Sequence, residues 1–337
     1  MKACESYPQH GPAEIVTDFR EYLETSLRQP FLLDLQDCTL MEVIDACIET
    51  KRRMHPQYGE HLNGLKHNLR ILERDYGITL VPVQVTEIFW GFFIKFCQGR
   101  GLKDSSTLTM CNQLRSVLSW ATKYNARVSP TFGDFSIRAA RNQEIALSAD
   151  DVSRIAYFDI DRFYAGRRSD FRKTMHRVRD MFVLSCNLFQ RHSDMLRIEP
   201  SCFERNVFRI NQQKTGNPAV VLIDTYALDA KTTYRILKAY NYEAPYKASI
   251  GNYNKFLHSL MRDIGFTEPV RIEERGEDGK LVAKNVPKWK LISSHTARRT
   301  AITVNVLRGR NVHGIRRCSG HKDMGAFDRY IREDIDF

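Results

Sequence analysis

Four apolar stripes with the period of an α-helix lie between residues 39 and 121. They limit the fold of this part of the chain more than any other feature of the sequence. The first helix is predicted to begin after Thr39, because a threonine hydroxyl can accept a hydrogen bond from the first helical turn. Its apolar stripe comprises Leu40, Val43, Ile44, Cys47 and Ile48. Since such a stripe needs a partner to cover it, several in succession predict a compact all-helical module.

Three further helices complete this predicted module. The second covers residues 59–76, and the third runs from Thr86 to Gly99. The fourth is capped by Ser105 or Ser106. The apolar faces of the second and fourth contain Leu62, Leu65, Leu69, Leu72, Cys111, Leu114, Leu118 and Ala121. The run of Phe and Trp in the third is predicted to be core rather than a platform that stacks bases.

Basic side chains lie on the other faces of these helices. They are Lys51, Arg52, Arg53, Lys66, Arg70, Arg115 and Lys123. One such cluster is most often an ordinary solvated surface, but several within one small module favour contacts with DNA phosphates. The whole chain has 51 Lys and Arg against 40 Asp and Glu, and its net charge of +11 favours a polyanionic partner.

Composition and periodicity divide the chain into four parts. Residues 1–38 form an N-terminal extension, and residues 39–126 form the helical domain. Residues 127–148 are poorly periodic and are predicted to be a linker, which leaves 149–337 as a second domain.

The second domain is predicted to be mostly α-helical with a small antiparallel sheet. Helices are expected at about 150–157, 170–189, 228–240 and 252–264, from a Ser294 cap to about Leu307, and over Val312–Cys318. An extended stretch at 208–223 has its turn at Thr215–Pro218, and residues 274–281 are typical of a hairpin loop.

The most specific pattern lies near the C-terminus: His295-Thr-Ala-Arg298, then Gly320-His321, then Tyr330. A His-x-x-Arg pair alone is weak evidence, because the chain contains four of them. Only this pair is followed at a fitting distance by Gly-His, with one tyrosine nine residues later. A basic cluster followed at fixed intervals by a tyrosine fits a site that holds a phosphodiester while a phenolic oxygen attacks it.

In order and spacing, these blocks resemble the C-terminal signature of the tyrosine recombinase (phage integrase) family. NLFQRHSDMLRI is similar to the segment with the family's first arginine, here Arg191. INQQKTGNPAVVLI is similar to the hairpin that presents the catalytic lysine, here Lys214. The resemblance covers about residues 39–337. It implies a SAM-like core-binding domain over 39–126 and the tyrosine recombinase catalytic fold over 149–337.

The resemblance also implies a role for each residue of the site. Tyr330 would be the nucleophile, which attacks the scissile phosphate to leave a 3′-phosphotyrosine and a free 5′-hydroxyl. His295 would be the base or proton shuttle, because the charge of histidine changes near neutrality. Lys214 would protonate the departing 5′-oxygen.

The other three residues of the site would bind the phosphate. Arg191 and Arg298 offer planar guanidinium forks to its oxygens, and His321 would hydrogen-bond a non-bridging oxygen. This chemistry requires neither a metal ion nor another cofactor. A metal site made of His313, Cys318 and His321 is disfavoured, because its spacing fits no common zinc pattern.

The predicted function is a site-specific DNA recombinase of a bacterial mobile element, acting in integration, excision or inversion. Two alternatives remain open. One is a type IB topoisomerase-like nicking and closing enzyme, which the compact helical module and the Gly-His pair disfavour. The other is a DNA-binding relative without catalysis, which the presence of all six catalytic residue types disfavours.

The expected partner is double-stranded DNA with inverted-repeat core sites. Two protomers would bind each repeat and four would form a synapse, with accessory DNA-bending proteins as further candidates. No run of about 18 apolar residues occurs, so no membrane span is expected. The N-terminus lacks a signal pattern, and the eight cysteines include no C-x-x-C pair. A cytoplasmic, DNA-associated protein with reduced thiols is therefore expected.

Overall fold

The computed structural model describes residues 35–137, 145–275 and 281–328. The chain divides into two compact units, residues 1–140 and residues 141–337. Each unit has its own hydrophobic core. The predicted N-terminal extension, up to residue 34, and the predicted nucleophile Tyr330 lie outside the described residues.

The first unit contains the four predicted helices: α1 (Leu40–Arg52), α2 (Asn63–Tyr76), α3 (Glu87–Gly99) and α4 (Asp104–Ala121). A capping box begins α1. The Thr39 hydroxyl accepts the backbone N–H of Glu42 at 3.3 Å, and the Glu42 carboxylate accepts the backbone N–H of Thr39 at 2.8 Å. The predicted apolar stripes are buried, so the four-helix prediction is confirmed.

Aromatic side chains fill the centre of this first core. Trp90 and Phe93 are almost completely buried, as predicted, whereas Phe92 of the same aromatic run is 40 % exposed. The Trp90 indole N–H donates to the Phe132 carbonyl at 3.1 Å, and the Trp90 ring lies 4.8 Å from that of Phe135. Residues 128–137 therefore pack on the first core, although they fall within the predicted linker. Their apolar residues have no helical period, which hid this contribution.

The start of α4 corrects a prediction. The helix begins at Asp104 rather than after a cap at Ser105 or Ser106. Lys103 already has the extended backbone of an N-cap, with φ −65° and ψ 145°, and its side chain makes no capping bond. The serines therefore lie in the first turn, where the Ser105 carbonyl accepts the Thr109 hydroxyl at 2.8 Å.

The second unit contains ten helices among its described residues. They are α5 (Ala149–Ala156), α6 (Ile160–Phe163), α7 (Ser169–Leu188), α8 (His192–Met195), α9 (Ile223–Tyr226), α10 (Ala230–Ala239), α11 (Ile250–Ile264), α12 (Ser294–Leu307), α13 (Val312–Ser319) and α14 (Met324–Asp328). Helix α7 is central, since every residue from Val178 to Leu188 is buried and α5, α10, α11 and α12 pack against it. The long helices confirm the predicted ones within two residues. The four- and five-residue helices were not predicted, because they are too short to show a 3.6-residue period.

In the described ranges, five short strands form two antiparallel sheets. The first has the order β1 (Phe203–Glu204), β2 (Val207–Asn211), β3 (Pro218–Leu222), and the second pairs β4 (Pro269–Arg275) with β5 (Leu281–Pro287). Arg209 lies opposite Val220 in the register of β2 and β3. The turn was predicted at Thr215–Pro218, which is slightly too far along the chain, because Pro218 is already the first residue of β3. Proline is tolerated at the first position of a strand. The prediction of a mainly α fold with a small antiparallel sheet is confirmed.

The described residues include seven cysteines, all with free thiols. Five of them are buried: Cys47, Cys97, Cys111, Cys186 and Cys318. Within the described ranges, no helix is both long enough and apolar enough to cross a membrane.

Candidate active site

Helix α12 places His295 and Arg298 one turn apart on the same face. The helix is capped by Ser293 rather than by the predicted Ser294, and the Ser293 backbone N–H donates to the Thr296 hydroxyl at 3.0 Å. Arg298 is 0 % exposed, which is unusual for a cation. A guanidinium in this position is held rigidly and has little water around it.

The carbonyl that anchors Arg298 comes from the end of α7. Arg298 Nη1 donates to the Phe189 carbonyl oxygen at 3.0 Å. Phe189 has a φ of 63°, in the left-handed region that non-glycine residues rarely adopt. This conformation ends α7 and turns the chain toward Arg191, so the central helix delivers one arginine and anchors the other.

Helix α13 is followed by its C-cap Gly320, which has a φ of 65°, and His321 is the next residue. Arg298 Nη2 donates to His321 Nε2 at 3.0 Å, and His321 Nδ1 lies 2.8 Å from the Ser319 hydroxyl oxygen. Because arginine can only donate, Nε2 is the unprotonated nitrogen and Nδ1–H donates to Ser319. Burial, followed by the charges of Arg298 and Arg191, lowers the pKa of His321 to about 3. This imidazole is therefore neutral at pH 7.

His295 reaches solvent, but protein atoms displace much of the water around its ring. This desolvation, followed by the charges of Arg298, Arg191 and Lys214, lowers the pKa of His295 to about 4. These three charges act on one imidazole although they come from α12, the segment after α7 and the turn between β2 and β3. The structure thus brings together five of the six predicted site residues, and the sixth, Tyr330, lies outside the described residues.

Arg191 and Lys214 are presented by neighbouring segments. Arg191 is the N-cap of α8, and its Nη1 donates to Gln212 Oε1 at 2.8 Å. Lys214 is exposed in the turn that follows β2. The Asp194 carboxylate accepts the backbone N–H of Gln213 at 2.7 Å, which ties this turn to α8.

Buried amides connect these segments, and the sequence prediction did not identify them. Gln190 Nε2 donates to the Cys318 carbonyl at 2.9 Å, and Gln212 Nε2 donates to the Ser319 carbonyl at 2.8 Å. Asn217 Nδ2 donates to the Gly320 carbonyl at 3.2 Å. Amide side chains carry no charge, and these ones follow no helical or strand periodicity, so they did not stand out in the sequence. Their position beside Arg191 and Lys214 could have identified them.

Helix α14 brings the described chain back to the site. Phe327 is buried, and its ring lies 5.7 Å from that of His321. Tyr330 follows Phe327 by three residues in the sequence. In the part of the chain that the structure describes, no group of three or more His, Cys, Asp and Glu side chains is arranged to hold a metal ion.

The predicted DNA-binding cations of the first unit have varied surroundings. Lys66 forms an ion pair with Asp45. Lys51 Nζ donates to the Tyr58 hydroxyl at 3.1 Å and lies 4.8 Å from the centre of its ring. The remaining predicted residues, Arg52, Arg53, Arg70, Arg115 and Lys123, are exposed. Their contact with DNA stays a prediction.

Several solved structures share this fold, and three of them are integrases bound to DNA. A lambda integrase dimer bound to a COC′ core site matches with a TM-score of 0.59 and 14% identity, over 87% of this chain and 96% of that one. A lambda integrase tetramer bound to a Holliday junction gives 0.60 and 13%, over 98% and 90%.

A second integrase, from a transposon, is also similar in fold to this chain. The Tn1549 transposon integrase, in complex with a circular intermediate DNA, matches with a TM-score of 0.59 and 13% identity, over 87% of this chain and 96% of that one. No protein-family model matches the sequence, and no curated protein does. The likeness lies in the fold and agrees with the resemblance of the sequence motifs. This chain has the fold of the tyrosine recombinase integrases.

Proposed function

We propose that this protein is a site-specific DNA recombinase, which cleaves and rejoins DNA through a 3′-phosphotyrosine intermediate. The observation that carries the proposal is the cationic surroundings of two neutral histidines, in a fold shared with DNA-bound integrases: Arg191 and Arg298 act on both His295 and His321, and Lys214 acts on His295. This cationic cluster is suited to a phosphodiester, whose oxygens carry negative charge.

The two arginines would bind the scissile phosphate. A guanidinium presents donors in a planar fork that matches two phosphate oxygens. Because Arg298 is buried, its charge is weakly screened and needs no reorganisation when negative charge grows in the transition state. Once the phosphate replaces His321 as the partner of Arg298, His321 would donate from Nε2 to a non-bridging oxygen, with its proton moved to Nε2 and Nδ1 accepting from the Ser319 hydroxyl.

The remaining residues would move protons and form the covalent bond. Tyr330 attacks phosphorus through its phenolic oxygen, and the bond from phosphorus to the 5′-oxygen breaks. His295 is unprotonated at neutral pH, so it can accept the phenolic proton. Lys214 lies in an exposed turn, where it can reach the DNA and protonate the departing 5′-oxygen. The 5′-hydroxyl of a second strand reverses these steps and releases Tyr330.

The assembly is proposed by analogy with the DNA-bound neighbours. Lambda integrase is seen as a dimer on a core site and as a tetramer on a Holliday junction. Two protomers of this chain would bind an inverted repeat, and four would form a synapse between two duplexes. A mobile element is the proposed substrate, since the Tn1549 transposon integrase is seen in complex with a circular intermediate DNA. Accessory DNA-bending proteins remain candidates for partners.

A covalent adduct tests this proposal. The protein is incubated with end-labelled duplexes from both sides of its own gene, and the products are separated on a denaturing protein gel. The wild type should shift the label to the protein, whereas Tyr330→Phe should not. If the wild type gives no adduct, or Tyr330→Phe gives as much, the proposal is wrong.

A second assay separates recombination from the type IB topoisomerase-like alternative. Strand exchange between two linear duplexes requires a synapse, whereas relaxation of a supercoiled circle requires only nicking and closing. We expect joint products with a defined crossover sequence. Relaxation without any joint product would favour the alternative.

A further inference from the structure

The side-chain amide of Gln212 is a buried junction between separate segments of the site. Gln212 is 1 % exposed. Its Oε1 accepts Arg191 Nη1 at 2.8 Å and the Thr215 hydroxyl at 3.2 Å. Its Nε2 donates to the Ser319 carbonyl at 2.8 Å and to Gln190 Oε1 at 3.1 Å. A primary amide has two donors and two acceptor positions, so every position is used.

These partners also fix the orientation of the amide. A guanidinium can only donate and a backbone carbonyl can only accept, so Oε1 faces Arg191 and Nε2 faces Ser319. Among side chains of the same length, glutamate offers no donor when ionised and methionine offers no N–H or O–H donor. Only glutamine can therefore bridge an arginine and a carbonyl in this way.

The backbone of Gln212 closes the turn that carries Lys214. The Gln212 N–H donates to the Asn217 carbonyl at 2.9 Å, and the Gln212 carbonyl accepts the Gly216 N–H at 2.8 Å. Asn217 in turn donates to the Gly320 carbonyl, immediately before His321. The turn and the loop before His321 are thus joined by two side-chain amides, and displacement of one displaces the other.

The amide is also neutral, which matters for Arg191. A carboxylate at this position would hold the guanidinium but cancel its charge. The amide fixes Arg191 and leaves that charge available to an incoming anion. Close packing supports the same contact, since a Cβ on Gly320 would lie 2.7–2.8 Å from atoms of the Gln212 side chain.

From this geometry we propose that Gln212 is a positioning residue, which aligns Arg191, the Lys214 turn and the His321 loop on one phosphate. The inference rests on the proposed function, because the phosphate is that of the cleaved DNA. Gln212 itself need not touch the substrate. Loss of this alignment should slow cleavage by about 10²-fold, the effect expected when reacting groups move by about 1 Å.

Gln212→Met tests the proposal, and Gln213→Met is its matched control. Gln213 is the next residue in the same turn and its side chain is exposed, while its backbone bond to Asp194 survives substitution. Single-turnover cleavage is measured with a saturating end-labelled duplex from the DNA beside the gene. Gln212→Met should be slow with unchanged DNA affinity, and Gln213→Met should resemble the wild type. Gln212→Glu, which removes both donors and adds a charge, should also be slow and provides a second variant if Met impairs folding.

A double-mutant cycle separates positioning from a general structural defect. In an Arg191→Lys background the fork is already lost, so Gln212→Met should slow cleavage much less than it does in the wild type. An equal slowing in both backgrounds would overturn the proposal, as would a wild-type rate for both Gln212 variants.

Histidine NMR titration gives a readout that needs no DNA. Gln212→Met should raise the pKa of His321 toward its ordinary value, because the loop is released from the neighbourhood of Arg298 and Arg191. Gln213→Met should leave it unchanged. If the wild-type protein forms no adduct with DNA, the proposed function fails, yet this titration still decides whether Gln212 positions the loop. An unchanged pKa of His321 in a folded Gln212→Met protein would contradict the inference.

Discussion

The predicted DNA-binding cations of the first unit and the two arginines of the candidate site are held in different ways. In the first unit, Lys66 pairs with Asp45 and Lys51 lies against Tyr58, both near the surface. An exposed ion pair of this kind contributes about 0–1 kcal/mol, so a stronger anion can replace its carboxylate at little cost. These side chains are suited to contacts that form and break as a protein meets DNA.

At the candidate site of the second unit, neutral groups accept hydrogen bonds from both arginines. Arg298 is fully buried and donates to the Phe189 carbonyl, and Arg191 donates to the Gln212 amide. Neither acceptor carries a charge. We therefore propose that cations paired near the surface serve DNA affinity, whereas arginines fixed by neutral groups serve catalysis.

Substitution of Arg298 is expected to reduce the cleavage rate most strongly. Arg298→Lys keeps the charge but removes the fork, and Arg298→Ala removes both, so each should slow single-turnover cleavage by at least about 10²-fold. DNA affinity should stay near normal, since the exposed cations of the first unit are proposed to supply it. Unfolding curves must first show that each variant folds. A folded Arg298→Ala protein that cleaves at the wild-type rate would remove Arg298 from the site.

Gly320→Ala should produce the next largest effect, with Gly309→Ala as its control. Both glycines have nearly the same φ, 65° and 66°, so the added methyl meets similar backbone strain at each. At Gly320 the new Cβ collides with Gln212, whereas a Cβ at Gly309 meets no neighbouring atom within 4 Å. Cleavage rates should fall clearly for Gly320→Ala and little for Gly309→Ala. Equal rates would mean that the contact with Gln212 is unimportant.

Neutralising the exposed cations should affect affinity rather than chemistry. The test variant changes Lys51, Arg52 and Arg53 to Gln. Its control changes Lys231, Arg235 and Lys238, on the exposed face of α10, to Gln. The test variant should bind DNA more weakly and lower the slope of log K against log salt by up to about 3, since each lost phosphate contact removes about 0.9. A similar change in the control, or an unchanged slope in the test variant, would reject this placement of the DNA-binding surface.

The smallest expected effect is on stability in acid. The folded pKa of His321, about 3, lies below its ordinary value of 6.5, so the unfolded chain takes up the proton first as pH falls. The stability linked to this histidine is therefore complete above pH 6.5 and is lost progressively below it. His321→Gln should make the fall in unfolding free energy between pH 6.5 and 4 shallower. Chemical unfolding at several pH values measures this, and an unchanged slope would mean that His321 titrates normally.

The sequence predicted the first unit well, because helical periodicity and Thr39 capping are local properties. It also led to a candidate site, because Arg298, His321 and their intervals resemble a known family. Periodicity could not show that Phe132 and Phe135 pack on the first core, since they lie in an irregular segment.

The amides of the site were also missed, for a physical reason. Gln190 and Gln212 matter through the carbonyls that they meet, which lie more than 100 residues away in sequence. Local patterns contain no information about such partners. The burial of Arg298 was similarly invisible, because a cation in an apolar helix is usually predicted to be at the surface.

The central claim concerns one covalent bond, and mass spectrometry of the trapped adduct tests it most directly. The wild-type protein is reacted with a nicked duplex that loses its short 5′-hydroxyl fragment after cleavage, and the complex is digested with protease and nuclease. We expect a peptide in which Tyr330 carries a nucleotide through its 3′-phosphate. Attachment to another residue, attachment through a 5′-phosphate, or no modified peptide from a folded protein that binds its DNA would contradict it.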